Sequence, residues 1–86
     1  MKFLAKVYIT LNPTINDPQG ETVLGALKSL GFSSVERLRV GKYMELTVAE
    51  TGYKQAEIQV RQMCDKLLAN PIIEQFTFEL KEVPDG

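Results

Sequence analysis

An alternation of apolar and other residues between Lys2 and Asn12 is the feature that most constrains how this chain can fold. Alternate positions of the stretch carry Phe3, Ala5, Val7, Ile9 and Leu11. A period of two residues is typical of a half-buried strand whose apolar side faces a core. The strand is predicted to end at Asn12-Pro13, because proline removes a ladder donor and disfavours helical geometry at the residue before it.

A helix is predicted to begin at Asp17-Pro18. The Asp17 carboxylate can accept hydrogen bonds from the first free backbone N–H groups, and proline at the first helical position loses nothing. Apolar residues then recur at helical spacing, at Val23, Leu24, Leu27 and Leu30. Gly31 suits the left-handed residue that ends a helix, with Phe32 folding back onto Leu27. Gly25, inside the helix, indicates close packing against a strand.

The second half of the chain repeats this order of elements. We predict a strand at 35–40, a turn at Gly41-Lys42, a strand at 43–49, a helix from Thr51-Gly52 to Asn70-Pro71, and a strand at 72–83. The two strands that flank Gly41-Lys42 should form a hairpin.

This order predicts an α+β fold of the βαββαβ, ferredoxin-like type, an antiparallel four-stranded sheet with two helices on one face. The 86 residues should form a single domain, 1–86. Because so short a chain buries only about 60–65% of its unfolded surface, self-association would add stability. The uncovered sheet face should suit a protein partner. Its expected members are Leu4, Lys6, Tyr8, Arg37, Arg39, Tyr43, Glu45 and Thr47.

Charge and cysteine content narrow the classes of function. Ten Lys and Arg residues oppose eleven Asp and Glu residues, and the net charge of -1 disfavours nucleic acids and anionic membranes as partners. The stretch Met1–Lys6 contains charged residues too early for a signal peptide or a membrane span. The single cysteine, Cys64, cannot form an internal disulfide and agrees with a reducing compartment, so we expect a cytoplasmic protein.

The sequence predicts no catalytic site and no metal site. The chain has no histidine, so the side chain best suited to proton transfer at neutral pH is missing, and a zinc site would have to be built around one cysteine. Cys64 should be a packed, inert thiol on the apolar side of the second helix. The carboxylates are scattered along the chain, and none forms an evident acid/base pair.

Several known kinds of site fit the chain poorly. A phosphate-binding loop around Gly41-Lys42 would need a glycine at the position of Glu36 and Ser or Thr at that of Tyr43. RNA-recognition modules of this topology carry stacking aromatic residues near positions that Met44, Leu46 and Val48 occupy here. The loop 12–16 lacks the glycine-rich phosphate loop of acylphosphatases. The glycine that usually marks the ligand site of ACT-type modules is also missing there, yet an ACT-like, small-molecule-binding regulatory module remains the alternative.

Five stretches, in order along nearly the whole chain, resemble the PurS family, the small subunits of formylglycinamide ribonucleotide amidotransferase (phosphoribosylformylglycinamidine synthase) in purine biosynthesis. They are Val7–Pro13, Asp17–Gly20, Ala26–Phe32, Val40–Tyr43 with Glu45–Leu46, and Cys64–Pro71. The resemblance implies a non-catalytic subunit that forms a dimer or a dimer of dimers. It also implies assembly with a synthetase subunit, PurL, and a glutaminase subunit, PurQ.

The resemblance further implies a role in an ATP- and glutamine-dependent amidation. The small subunit would bridge the two larger ones and support ammonia transfer between them. No cofactor is expected in this chain, and ATP and magnesium would be used by the synthetase. The predicted interface consists of residues that belong to the family's motifs and are not expected to pack mainly in the core. They are Asp17, Gln19, Gly20, Arg39, Lys42 and Tyr43. A helix cap is an equal alternative for Asp17.

Overall fold

The computed structural model describes residues 1–85. Three strands and two helices follow in the order β1 Lys2–Leu11, α1 Pro18–Ser29, β2 Gly41–Ala49, α2 Tyr53–Met63 and β3 Glu74–Val83. A π-helical turn, Cys64–Leu68, continues α2. The two elements with the clearest sequence patterns, β1 and the first helix, lie close to their predicted bounds.

The sheet is antiparallel and three-stranded, with β1 in the centre and the order β2-β1-β3. Val7 lies opposite Met44 on β2 and Phe78 on β3. Because paired residues point to the same face, the alternation of β1 is repeated on both neighbouring strands. One face of the sheet is therefore apolar across all three strands, and the other carries mainly polar and tyrosine side chains.

The core lies between the apolar face of β1 and α2. Its buried members are Phe3, Ala5, Val7, Ile9, Ala56, Val60, Cys64 and Ala69. Small residues on α2, such as Ala56, let the helix approach the sheet closely. The matching side chains on the outer strands are only half-buried, namely Met44, Leu46, Val48, Phe76, Phe78 and Leu80. One helix thus covers the middle of the sheet and leaves the apolar side chains of both outer strands partly exposed.

The prediction of a four-stranded, ferredoxin-like sheet with two helices on one face is wrong for this chain. Residues 35–40 form no strand, and the expected hairpin is absent from the described residues. Gly41 begins β2 opposite Thr10 instead of turning the chain. The approaching segment enters β2 without doubling back, so it has no neighbouring strand to pair with, and a strand requires such a neighbour.

The predicted ends of α1 are confirmed. The Asp17 carboxylate caps the helix by accepting from the Gly20 N–H, at 2.9 Å between N and Oδ1. Gly31 has a φ of 100°, and Phe32 N–H donates to the Leu27 carbonyl at 3.0 Å. These are the features of a Schellman closure. The prediction that Gly25 packs against a strand is wrong, since no atom outside the neighbouring helix backbone lies within 4 Å of where its Cβ would be.

Among residues 1–85, the helices are all too short or too polar to span a membrane.

Candidate functional site

Asp17 joins the start of α1 to the segment that leads into β2. Its Oδ1 accepts the Gly20 N–H, and its Oδ2 accepts the Val40 N–H at 2.8 Å. The side chain is buried, although aspartate is among the residues least often buried. One carboxylate therefore holds together two stretches more than twenty residues apart. We call Asp17, Gly20, Arg39 and Val40 the junction.

Glycine at position 20 is required by the space inside the junction. A Cβ at this position would lie 2.6 Å from Asp17 Oδ2 and 2.8 Å from the Leu38 carbonyl oxygen. Both distances are far shorter than an ordinary van der Waals contact. The absence of a side chain at Gly20 lets α1 begin directly against the returning chain.

Arg39 links the junction to the end of β1. Its Nη2 donates to the carbonyl oxygen of Asn12 at 3.1 Å and to that of Leu11 at 3.5 Å. Its Nε lies 4.0 Å from Asp17 Oδ2. The arginine thereby satisfies backbone carbonyl groups at the point where the chain leaves the sheet.

The charge of the junction favours an ionised Asp17. The Val40 N–H has the largest effect, and together with the Gly20 N–H and the Arg39 charge it holds the pKa of the Asp17 carboxyl below its ordinary value, despite burial. Hydrogen bonds to the charged form have this effect because protonation weakens them.

A cavity of about 240 Å³ lies beside the junction. Gln19 and Lys42 contribute to its lining, and Glu74 lies across from them at the start of β3. The Lys42 ammonium forms an ion pair with Glu74, at 3.2 Å between Nζ and Oε2. The other Glu74 oxygen accepts the Asn70 N–H at 2.7 Å, and this bond is the main cause that lowers the pKa of the Glu74 carboxyl.

Tyr43 lies on the opposite, polar face of the sheet. Its ring packs beside that of Tyr8, with centroids 5.2 Å apart. The Tyr43 hydroxyl donates to Glu45 Oε2 at 2.6 Å, and this hydrogen bond is the main cause that raises the pKa of Tyr43 to about 12. The Tyr8 hydroxyl donates to Glu79 at 3.3 Å. Two tyrosines and two carboxylates thus form a polar aromatic cluster, and all four residues are exposed.

Five of the six predicted interface residues converge at one end of the sheet, namely Asp17, Gln19, Gly20, Arg39 and Lys42. Tyr43 is separate from them on the other face. Asp17 and Gly20 are buried, so within this chain they serve the junction, whereas Gln19, Lys42 and Tyr43 are exposed. Sequence reasoning missed Glu74 and the pairing of Tyr8 with Tyr43. Both depend on strand register, for which a single sequence carries no direct signal.

The arrangement supplies hydrogen bonds and ion pairs rather than a reactive group. In the described part of the chain, no three Cys, Asp or Glu side chains come together in a way that could hold a metal ion. Cys64 is buried in the core, and burial raises the pKa of its thiol. The polar groups of the junction hold the start of α1, the end of β1 and the segment before β2 together.

Comparisons with known proteins agree with the motifs in the sequence. The model of the family described as PurS, phosphoribosylformylglycinamidine (FGAM) synthase, matches residues 4–82. Subunit PurS of phosphoribosylformylglycinamidine synthase from Bacillus subtilis is 43% identical over 81 residues, which cover 94% of this chain and 95% of that protein.

Solved structures are similar as well. The structure of B. subtilis PurS has a TM-score of 0.84 at 41% identity, covering 93% of this chain and 99% of that one. A chain in the structure of PurLQS from Thermotoga maritima has a TM-score of 0.87 at 27% identity, covering 94% and 99%. The predicted resemblance is confirmed: the chain belongs to the PurS family of phosphoribosylformylglycinamidine synthase subunits.

Proposed function

We propose that this chain is the small, non-catalytic subunit of a three-component FGAM synthase, in which it bridges a synthetase and a glutaminase subunit and supports ammonia transfer between them. The complex would convert formylglycinamide ribonucleotide, ATP and glutamine into the formylglycinamidine. The observation that carries the proposal is the likeness, over 94% of this chain, to a chain of the T. maritima PurLQS structure.

The partners follow from that likeness. We infer that the chain binds a PurL-type synthetase, a PurQ-type glutaminase and a second copy of itself. ATP and magnesium would be bound and used by the synthetase. The compartment would be the cytoplasm, where the buried, single Cys64 stays reduced.

Ammonia transfer is a step that a subunit can support even though it has no reactive group. Ammonia released by glutamine hydrolysis would be protonated and lost in bulk water, and a path closed by protein prevents that loss. A bridging subunit would support this step without a reactive group, because it would only need to hold the two active sites so that the path between them is closed to water. Its surface therefore matters more than any single side chain.

Two exposed regions are the candidate contacts with the larger subunits. One is the rim of the cavity beside the junction, with Gln19 and Lys42. The other is the polar sheet face around Tyr8 and Tyr43. Tyrosine is enriched in protein interfaces because it offers a large rigid surface with a polar tip. The charged residues beside the tyrosines would favour a polar, specific contact over nonspecific hydrophobic association.

Reconstitution tests the proposal. Purified synthetase and glutaminase subunits are mixed with and without this chain, and glutamine-dependent formation of the amidine is measured. We expect turnover to depend on the chain and to saturate as its concentration rises. Equal rates with and without it would overturn the proposed function.

A surface variant tests the contact regions separately. Lys42→Ala combined with Tyr43→Ala should weaken assembly with the larger subunits, because both side chains are exposed and leave the core intact. Lys54→Ala combined with Gln55→Ala, which removes two exposed side chains of α2 outside both contact regions, is the matched control. Unchanged assembly of the double variant would refute the contact role of these residues while leaving the function itself standing.

A further inference from the structure

The ion pair between Lys42 and Glu74 crosses the central strand at the end of the apolar sheet face. Lys42 on β2 lies opposite Ile9, and Glu74 on β3 lies opposite Leu11. Because paired residues point to the same face of a sheet, both charged side chains share the face on which Ile9 is buried. The backbones of β2 and β3 are about 10 Å apart, with β1 between them. The two side chains therefore meet above β1, at 3.2 Å between Nζ and Oε2.

The cavity beside the junction is lined by both members of this ion pair and has an apolar wall. Ile9, Leu11 and Val40 contribute the aliphatic part of the lining. Its volume of about 240 Å³ is smaller than the range of about 300–1,000 Å³ that is typical of sites for drug-sized ligands. The cavity therefore suits a small molecule with a short aliphatic part.

The charged groups in the lining balance one another. Lys42 and Glu74 carry opposite charges, and Asp17 is matched by Arg39 at 4.0 Å and by two backbone N–H groups. A simple anion bound at Lys42 would leave Glu74 without its partner, and a simple cation bound at Glu74 would leave Lys42 without one. A charge that loses its partner is costly where it is shielded from water, and the Glu74 side chain is only 13% exposed. The lining therefore favours a ligand that carries both charges.

The two members of the ion pair differ in how firmly they are held. Glu74 is fixed by a second hydrogen bond, because its Oε1 accepts the Asn70 N–H at 2.7 Å. The Lys42 side chain is 54% exposed and ends a flexible four-carbon stem. An ion pair with an exposed member adds little net stability, because water competes for its charge. Lys42 can therefore move aside at small cost while Glu74 keeps its place in the lining.

We propose that this cavity binds a free α-amino acid in its zwitterionic form. The ligand's ammonium takes the position on Glu74 Oε2 that the Lys42 ammonium holds, and Lys42 moves to pair with the ligand's carboxylate. The ligand's aliphatic side chain packs on Ile9, Leu11 and Val40. Both charges of the original pair keep a partner, and apolar surface is buried in addition. The inference goes beyond the proposed function, which assigns no small-molecule ligand to this chain.

A matched series of ligands tests the inference on the 86-residue chain alone. L-Leucine carries both charges and an aliphatic side chain, whereas isocaproate lacks the ammonium, isoamylamine lacks the carboxylate and glycine lacks the side chain. Each is titrated into isotope-labelled protein at constant pH and ionic strength, and NMR follows the amide signals of Gln19, Gly41 and Lys42. L-Leucine should shift these signals saturably, with half-saturation below about 10 mM. The other three should bind at least about ten-fold more weakly, because each lacks one of the three contacts.

Variants that remove one charge locate the site. Lys42→Met keeps the aliphatic stem, and Glu74→Gln keeps an oxygen for the Asn70 N–H. Each should weaken L-leucine binding at least about ten-fold. Lys54→Met and Glu57→Gln are the matched controls, because they remove the same charges from an ion pair on α2 that is not part of the cavity, and they should bind L-leucine like the unmodified chain. Thermal unfolding shows which variants are folded, and if Glu74→Gln is not, Lys42→Met and the ligand series decide.

Four outcomes would overturn the inference. L-Leucine that causes no saturable shift would show that the cavity binds no amino acid. Isocaproate or isoamylamine that binds as tightly as L-leucine would show a site for a single charge, and glycine that does so would show that the apolar wall takes no part. Lys42→Met and Glu74→Gln proteins that bind like the controls would place the ligand elsewhere. The measurement needs neither of the larger subunits, so failure here is distinguishable from failure of the proposed function.

Discussion

Replacing Gly20 by alanine tests the junction at its tightest point. The added Cβ would meet Asp17 Oδ2 at 2.6 Å and the Leu38 carbonyl oxygen at 2.8 Å. The carboxylate cannot rotate away without lengthening its hydrogen bonds to Gly20 N and Val40 N. Overpacking of this kind costs about 1–3 kcal/mol, whereas alanine in place of glycine in a helix gains at most about 1 kcal/mol. We therefore expect Gly20→Ala to lower the free energy of unfolding by about 1–2 kcal/mol.

Gly25→Ala is the matched control, because the same substitution in the same helix meets no atom within 4 Å apart from the neighbouring helix backbone. It should raise the free energy of unfolding by up to about 1 kcal/mol through helix propensity alone. Thermal unfolding followed by circular dichroism, at one protein concentration for all samples, measures both effects. For a domain of this size, the melting temperature should fall by about 5–15 °C for Gly20→Ala and rise by a few degrees for Gly25→Ala.

The test is strict because the two substitutions should change the free energy of unfolding in opposite directions. A Gly20→Ala protein as stable as the Gly25→Ala protein would mean that Asp17 and the returning chain yield to the new methyl group. The junction would then be a loose contact that does not fix the start of α1 against the segment before β2.

Three further predictions concern titration and reactivity. Because the folded-state pKa of Asp17 lies below the ordinary value of 3.8, its contribution to stability is present above that pH and is lost as the pH falls through the folded-state value. Urea denaturation of Asp17→Asn and the unmodified protein should therefore differ at pH 7 and converge in acid, and a difference that is constant with pH would contradict this. Ultraviolet titration should show one tyrosine ionising near pH 12, a component that Tyr43→Phe removes and Glu45→Gln shifts to lower pH; a curve unaltered by both changes would refute the hydrogen bond. Cys64 should resist alkylation in the folded protein and react readily in urea, because it is buried and burial raises the pKa of its thiol; fast alkylation without denaturant would show that the core opens there.

Local sequence signals were sufficient wherever the structure depends on neighbours along the chain. The alternation of β1 predicts its buried face, the Asp17-Pro18 pair predicts the start of α1, and Gly31 predicts its end. These features follow from periodicity and from the backbone preferences of single residues. Each of them operates within a few residues, so a single sequence contains the whole of the relevant information.

The wrong predictions share a different physical origin. Residues 35–40 have the composition of a strand, yet a strand forms only beside another, and this chain sends the segment away from its own sheet. Gly25 has the appearance of a packing glycine, yet α1 makes no extensive contact with the sheet and the position is open. Where an element lies relative to the rest of the chain is decided by long-range contacts.

The candidate site was partly predictable for the same reason. The cap formed by Asp17 is a local signal, but its second bond, to Val40, joins distant residues and could not be read from spacing. Lys42 was identified from a motif, whereas its ion pair with Glu74 depends on how the start of β3 meets the start of β2. Most of these residues lie in the family motifs, whereas their hydrogen-bond and ion-pair partners are seen only in the structure.

The ratio of amidine formed to glutamine hydrolysed tests the central claim most directly. It is measured in the reconstituted synthetase and glutaminase mixture, first without this chain and then with a saturating amount of it. If the chain supports ammonia transfer, the ratio should approach one in its presence and fall well below one in its absence, while amidine formation from added ammonia persists in both samples. A ratio that the chain leaves unchanged would contradict the account.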